Sequence, residues 1–311
     1  MNDSSQVFPV DRTREGIVIL MTGLFFFSFQ DIIVKLLSDG YNVLQLVFTR
    51  TVFALIFLCT IGIFTIGRDA LFAKQPLLLF SKGVATFFAF LLYYLAIPSL
   101  PLADIVAIAF MSPILMTVLS VVLLKEFVGP RRWAAIFLGF IGVLIVVGPS
   151  GNFANPGALL ALGCAFAYAI SSIMTRYINK GDEPITIAIY SMLAFLIVSG
   201  ILALVINNMD TREISNPSMA FLFRDWVWPE RREWFLLFII GCIATVGFYC
   251  LGRAYLVAPA SHVAPFEYTY IIWAVLLSYL FFNELPKLTT LIGVSILVGS
   301  SLYIWYRESK A

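Results

Sequence analysis

Chemistry in this chain can only come from a few polar side chains set inside long apolar stretches: Gln30, Asp31, Arg50 and Glu267, with tyrosines at 94, 168, 249 and 268. A charged group in such surroundings is costly, so each must be paired, reach an interface or face a polar cavity. Asp31 precedes Lys35 by four residues, a spacing that allows a local helical ion pair; the other reading makes Asp31 a cation or proton site. Arg50 can snorkel to an interface, pair with Asp31 from the neighbouring segment or contribute to a polar site. Glu267 lies about two helical turns into its apolar run, beyond Pro265 and beside Tyr268 and Tyr270. It either neutralises Arg253 or helps form a central site that binds a cationic group or carries a proton. His262, the single histidine, starts the same run; it can titrate near neutrality or act as a polar residue at a helix start. The tyrosines offer hydroxyls to orient a solute and rings to stack a planar one, or they are packing residues. Pro113 and Pro265 each free a backbone carbonyl, which reads as a gating kink or a static bend.

Other chemistries are excluded by what the residues do not form. There is no His-Glu-x-x-His helix and no Gly-x-Ser-x-Gly elbow, and one histidine rules out a multi-histidine site, so no catalytic constellation and no metal site is expected. No Gly-rich P-loop is present, so ATP does not drive the protein directly. The four cysteines lie in apolar stretches without zinc-ligand spacing and are packing residues. No cofactor is implied. A net charge of +2, with basic residues scattered between apolar runs, gives no footprint for nucleic acid.

The elements that must position these groups follow from composition. Apolar residues make up 61% of the chain and charged residues 12%, against roughly 45–50% and 25% in soluble domains. Hydrocarbon requires every backbone amide to be satisfied internally, and the runs are continuous instead of alternating, so the expected fold is all-α. Runs near the length of about 20 residues needed to cross a bilayer lie at 16–36, 43–66, 78–98, 103–124, 133–149, 157–178, 184–206, 233–254, 261–282 and 288–306. Ten transmembrane helices are therefore predicted. The first run follows a polar segment without a cleavage pattern and is expected to be retained. A long polar connection at 207–232, with Trp226 and Trp228, reads as lying along the headgroups. Lys and Arg concentrate on the side of the amino terminus, which places both termini in the cytoplasm and the 207–232 loop on the opposite face.

Self-similarity divides the chain in two. Pro101-Leu-Ala-Asp104, an apolar helix and Lys125-Glu126 reappear 158 positions later as Pro259-Ala-Ser-His262, an apolar helix and Asn283-Glu284. With a shift of 141, Phe27, Asp31, Lys35 and Gly40 fall on Tyr168, Ser172, Arg176 and Gly181. Two units follow, 16–149 and 157–306. Each holds five spans, and an odd number inserts the second unit upside down, the arrangement of two inverted five-helix repeats that underlies alternating access in secondary transporters.

These features together resemble the drug/metabolite transporter superfamily, in particular bacterial members with two EamA domains. The resemblance covers about 16–306 and rests on the five-plus-five spans, the Pro-x-Ala-Asp start of the fourth span, Glu126 and Glu284, Arg131-Arg132-Trp133, and the segment Phe29-Gln-Asp-Ile-Ile-Val-Lys35. It implies a multi-pass inner-membrane carrier for a small polar organic metabolite, with a central cavity lined by the third and fourth helix of each half. Its segment Ala264-Pro-Phe-Glu-Tyr-Thr-Tyr270 is most similar to uptake carriers for S-adenosylmethionine or riboflavin; amino-acid-like solutes are also represented in the superfamily. The partners expected are therefore the solute, the lipid bilayer and a coupled proton or counter-solute. A channel or a non-transporting receptor is the competing class.

Overall fold

The computed structural model describes residues 13–125, 130–147, 155–175, 178, 182–206, 216–257 and 264–308. Among these the regular elements are helical: α1 (Thr13–Leu37), α2 (Val43–Thr65), α3 (Pro76–Ala96), α4 (Leu102–Ala109), α5 (Ser112–Leu124), α6 (Pro130–Val147), α7 (Pro156–Thr175), α8 (Pro184–Ile206), α9 (Pro217–Phe223), α10 (Arg231–Val257), α11 (Thr269–Phe282) and α12 (Leu288–Glu308). Two short 3-10 turns, Arg68–Leu71 and Ala264–Tyr268, complete the list of helical segments. Seven stretches are long and apolar enough to cross a membrane: Arg14–Leu37, Val43–Thr65, Pro76–Ala96, Leu102–Leu123, Pro156–Met174, Pro184–Ile206 and Arg231–Ala254. Phe137–Val146, Phe266–Phe282 and Leu288–Ser300 are shorter apolar helices. Large apolar side chains such as Phe64, Leu77 and Leu204 point outward, a surface that suits lipid and would be unfavourable in water. The chain is a multi-pass membrane protein.

Two predicted runs depart from a single continuous helix. The 103–124 run is interrupted at Phe110–Met111, which separates α4 from α5, so Pro113 stands in the first turn of α5 instead of mid-helix. The 261–282 run begins, within the described residues, as the 3-10 turn that holds Pro265 and Glu267, and α-helix starts only at Thr269. In both places proline occupies a helical first turn, where its missing N–H has no partner to lose.

α1 packs on α10 and α11, α3 on α7 and α8, α2 on α8 and α10, α6 on α12, and α7 on α4 and α5, while α4 meets α11. Small residues bring these helices close, the usual device where lipid supplies no hydrophobic drive between them. Gly247 of α10 lies so near α1 that a Cβ would approach the Phe27 ring to 2.5 Å. A Cβ on Gly293 of α12 would collide with the Gly142 carbonyl oxygen and with Val146 of α6. Backbone cannot yield as a side-chain tip can, so Gly293→Leu is expected to cost about 1–3 kcal/mol through overpacking. A melting temperature and elution profile equal to those of the parent would refute that account of the α6–α12 contact.

Connections at one end are joined by specific bonds. Arg224 Nη1 donates to the Ser38 carbonyl at 2.7 Å, Asn42 Nδ2 donates to the Leu222 and Arg224 carbonyls, both at 2.6 Å, and Ser99 Oγ meets Ser218 Oγ at 2.6 Å. The described part of the 207–232 connection is thus docked against the α1–α2 and α3–α4 turns, with Phe221 and Ser218 fully buried and Trp228 83% exposed. At another set of turns, Lys74 N donates to Asp182 at 2.8 Å and Thr186 to the Ala70 carbonyl at 2.9 Å.

Candidate functional site

Adjacent residues of a helix point about 100° apart, and two such pairs face each other here. On α1, Gln30 and Asp31 are buried; on α3, so are Tyr93 and Tyr94. Gln30 Nε2 donates to Tyr94 Oη at 2.6 Å, and Tyr93 Oη donates to Asp31 Oδ2 at 2.7 Å. From the second half of the chain, Tyr270 of α11 donates a hydrogen bond to the same Asp31 oxygen. From α2, Arg50, fully buried, donates through Nη1 to Tyr94 Oη at 2.6 Å. Rings enclose its guanidinium: the central carbon lies 5.3 Å from the Phe90 centroid, 5.2 Å from Tyr94 and 5.6 Å from Phe195. Such cation–π contacts help offset the loss of water around the charge.

This network corrects two pairings suggested by spacing. Asp31 does not pair with Lys35, and Arg50 donates to Tyr94 instead of bridging to Asp31. Lys35 reaches Glu284 instead, with Nζ at 2.6 and 2.7 Å from the two carboxylate oxygens. Ser278 holds Oε2 of that carboxylate at 2.7 Å, and the Phe282 ring lies 4.6 Å from the ammonium. The alignment needs α1 and α11 to run side by side, which no local spacing could reveal. This pair ties the two halves together at one end. With side-chain exposures of 14% and 30%, its coupling should fall between that of surface and buried bridges, on the order of 1–2 kcal/mol. A thermal double-mutant cycle of Lys35→Met and Glu284→Gln should show that coupling, and simple additivity of the two changes would remove it.

Glu267 occupies the 3-10 turn before α11, half-buried, and is the main electrostatic neighbour of Tyr168 on α7. Arg253 approaches Glu15 at 3.8 Å, with both groups well exposed. Cys164, one turn before Tyr168, is buried on α7. Tyr268 is 8% exposed and its ring meets Phe110 at 4.9 Å, where α4 ends. Tyr249 is 39% exposed on α10 and is not among the hydroxyls that converge on Asp31 and Arg50. His262 lies outside the described residues.

Tyr93 and Tyr270 are brought to the node by the fold; in the sequence Tyr93 is one of many aromatic residues and Tyr270 a neighbour of Glu267. A signal existed in the Tyr93-Tyr94 doublet, because neighbouring positions on a helix direct two hydroxyls to two different partners. Asp104 is also buried and accepts a hydrogen bond from Thr290, joining α4 to α12. Several atoms of the central network are left without a partner among the described residues: Gln30 Oε1, Arg50 Nε and Arg50 Nη2, with the Trp273 indole N–H one turn beyond Tyr270. Buried polar atoms are seldom left so, and at a site for a polar solute they are the groups that the solute or water would satisfy.

The profile of the EamA-like transporter family matches residues 14–148 and again 155–306. The chain belongs to that family. It lies within the drug/metabolite transporter superfamily and is a transporter, not an enzyme. Among similar proteins, an S-adenosylmethionine uptake transporter of Rickettsia bellii is 26% identical over 311 residues, spanning 100% of this chain and 98% of that protein. A riboflavin transporter of Vibrio cholerae is 31% identical over 220 residues, 70% of this chain and 67% of its own. A pseudopaline exporter of Pseudomonas aeruginosa is 26% identical over 295 residues, 93% and 95% of the two chains. A solved crystal structure shares the fold with a TM-score of 0.64 at 18% identity, covering 92% of this chain and 96% of that one.

Proposed function

We propose that this protein is a secondary active carrier that moves a small polar organic metabolite across the inner membrane by alternating access. The observation that carries the reading is the buried polar node of Gln30, Asp31, Arg50, Tyr93, Tyr94 and Tyr270, assembled from α1, α2 and α3 of the first half and α11 of the second. A site shared between halves is remade when the halves move against each other, which is what a carrier requires. Relatives named for S-adenosylmethionine and riboflavin uptake indicate the size and polarity of the solute.

The architecture in this proposal has ten spans in two inverted repeats, with both termini cytoplasmic and the 207–232 connection on the other face. The helix neighbours support it. Exchanging the first five segments for the second five carries the α1–α10 contact onto α7–α3, and α2–α10 onto α8–α3, while α2–α8 and α6–α12 map onto themselves. Phe110 and Tyr268, which touch, are separated by the same 158 positions as Pro101 and Pro259. The break at 110–111 and the 3-10 turn at 264–268 both lie at this junction, and irregular helical segments are where carriers place their sites.

Counterflow of labelled S-adenosylmethionine or riboflavin into proteoliposomes, measured as saturable exchange against internal solute, tests the reading. Accumulation driven by unlabelled internal solute is expected. Non-saturating flux without exchange would identify a channel instead.

A further inference from the structure

The Lys35–Glu284 pair joins two groups of helices that are each fastened within themselves. α1 is locked to α10 by close approach: a Cβ on Gly23 would come within 2.9 Å of the Cys250 Cβ, and one on Gly247 would meet the Phe27 ring. The turn after α1 is tied down as well, through Ser38 and Asn42, to the connection that precedes α10. On the other side, Thr290 donates to Asp104, which fastens the start of α12 to α4 and with it the short turn that carries Glu284. Among the described residues α1 meets α11 through side chains: the Phe25 and Trp273 rings at 4.9 Å, Tyr270 on Asp31, and Lys35 on Glu284. Side-chain contacts can part and re-form, whereas helices interlocked at glycine move together.

Each partner is also supported without the other. α11 ends at Asn283 in the left-handed conformation, φ 54°, which Asn tolerates. That turn folds Glu284 back on its own helix, where its N–H donates to the Ser278 carbonyl at 3.4 Å and Ser278 Oγ donates to its carboxylate at 2.7 Å. Lys35 stands in the last turn of α1, where the helix dipole favours a cation. With 14% and 30% of the side chains exposed, water reaches both charges. A fully buried pair would be too costly to separate and a fully exposed one would hold little. Asp31 lies one turn from Lys35 on the same face of α1, so the pair stands at the end of the seam that closes over Asp31.

We propose that Lys35 and Glu284 are a latch that breaks and re-forms in each transport cycle. Joined, they hold α11 against α1 and shut the mouth on the side of the 207–232 connection; parted, they open it. They are positioning residues that set the balance between two states and make no contact with the solute. The inference rests on the carrier reading and its topology, and adds to them the bond that must break. A pair that only stabilised the fold would stay joined throughout.

Two measurements on the full chain in proteoliposomes separate a latch from a permanent clasp. In the first, Lys35→Cys with Glu284→Cys is bridged by a short bis-methanethiosulfonate, which reduction removes; each single variant controls for the native cysteines. Counterflow of labelled S-adenosylmethionine or riboflavin is expected to fall at least tenfold on bridging and to return on reduction. Undiminished counterflow in the bridged protein would overturn the inference and leave the carrier reading intact. The second measurement needs no solute. Leu277→Cys reports opening, because Leu277 is buried on the α11 face that carries Tyr270, two turns before Glu284. Adding Lys35→Met and Glu284→Gln should speed its labelling by a membrane-impermeant maleimide at least fivefold from the side of the 207–232 connection, and not from the other. An unchanged rate, or equal acceleration from both sides, would overturn the latch. Thermal melting verifies that the variant is folded, and if it is not, the bridging result decides; if neither labelled solute is exchanged by the parent, the labelling decides. Flux that never saturates would remove the carrier reading itself.

Discussion

Tyr94→Phe is expected to be among the most destabilising single-atom changes in this protein. Its hydroxyl is the acceptor for both Arg50 Nη1 and Gln30 Nε2 at a fully buried position. Removing one oxygen strands a charged donor and a neutral donor together. A hydrogen bond to a charged group contributes about 1.5–3 kcal/mol, and an orphaned buried donor costs about 1–3 kcal/mol more. A total near 3 kcal/mol corresponds to a fall in melting temperature on the order of 5–10 °C for a chain of this size. Tyr93→Phe is the control, because Asp31 would retain Tyr270; its shift should be a fraction of the first. Equal melting temperatures for Tyr94→Phe and the parent protein would mean that Arg50 is held by its rings and that the hydroxyl is incidental.

Asp31→Asn should produce the second large effect, on transport instead of folding. The substitution keeps the side-chain shape and leaves an amide oxygen to receive Tyr93 and Tyr270, but it removes the negative charge at the centre of the node. Under the proposed function, exchange should fall at least tenfold, about 1.4 kcal/mol in the limiting step, with the protein still inserted and monodisperse. Unaltered exchange in the Asn variant would exclude Asp31 from the solute or proton path and direct attention to Glu267. Loss of folded protein, by contrast, would show that the tyrosine hydroxyls require a carboxylate and that Asp31 is architectural.

Much of the fold could be read from residue order because hydrocarbon is a demanding solvent. Backbone amides must bond internally, so apolar runs near bilayer length become helices, and α2, α3, α7 and α8 begin and end within a few residues of the predicted runs. The break at 110–111 and the 3-10 turn at 264–268 were less legible. Pro113 and Pro265 marked the neighbourhood, but whether proline kinks a helix or starts one depends on the segment it follows and on what packs there. Candidate residues were legible as types for the same energetic reason: Gln30, Asp31, Arg50 and Glu267 stand out because charge and amide groups are rare in such runs.

Partner choice was decided only in three dimensions. Spacing along the chain offered Asp31 to Lys35, since residues four apart share a helix face. In the folded protein Asp31 takes Tyr93 and Tyr270, which lie 62 and 239 positions away, and Lys35 takes Glu284 at a separation of 249. Periodicity states which face a residue occupies on its own helix and carries no information about the helix opposite. By itself the sequence determined that this chain is helical, lies in the membrane and carries a few charges there that must be answered. The tertiary structure alone decided what answers them, because small residues such as Gly247 and Gly293 set which helices approach and so which buried groups come within hydrogen-bonding range.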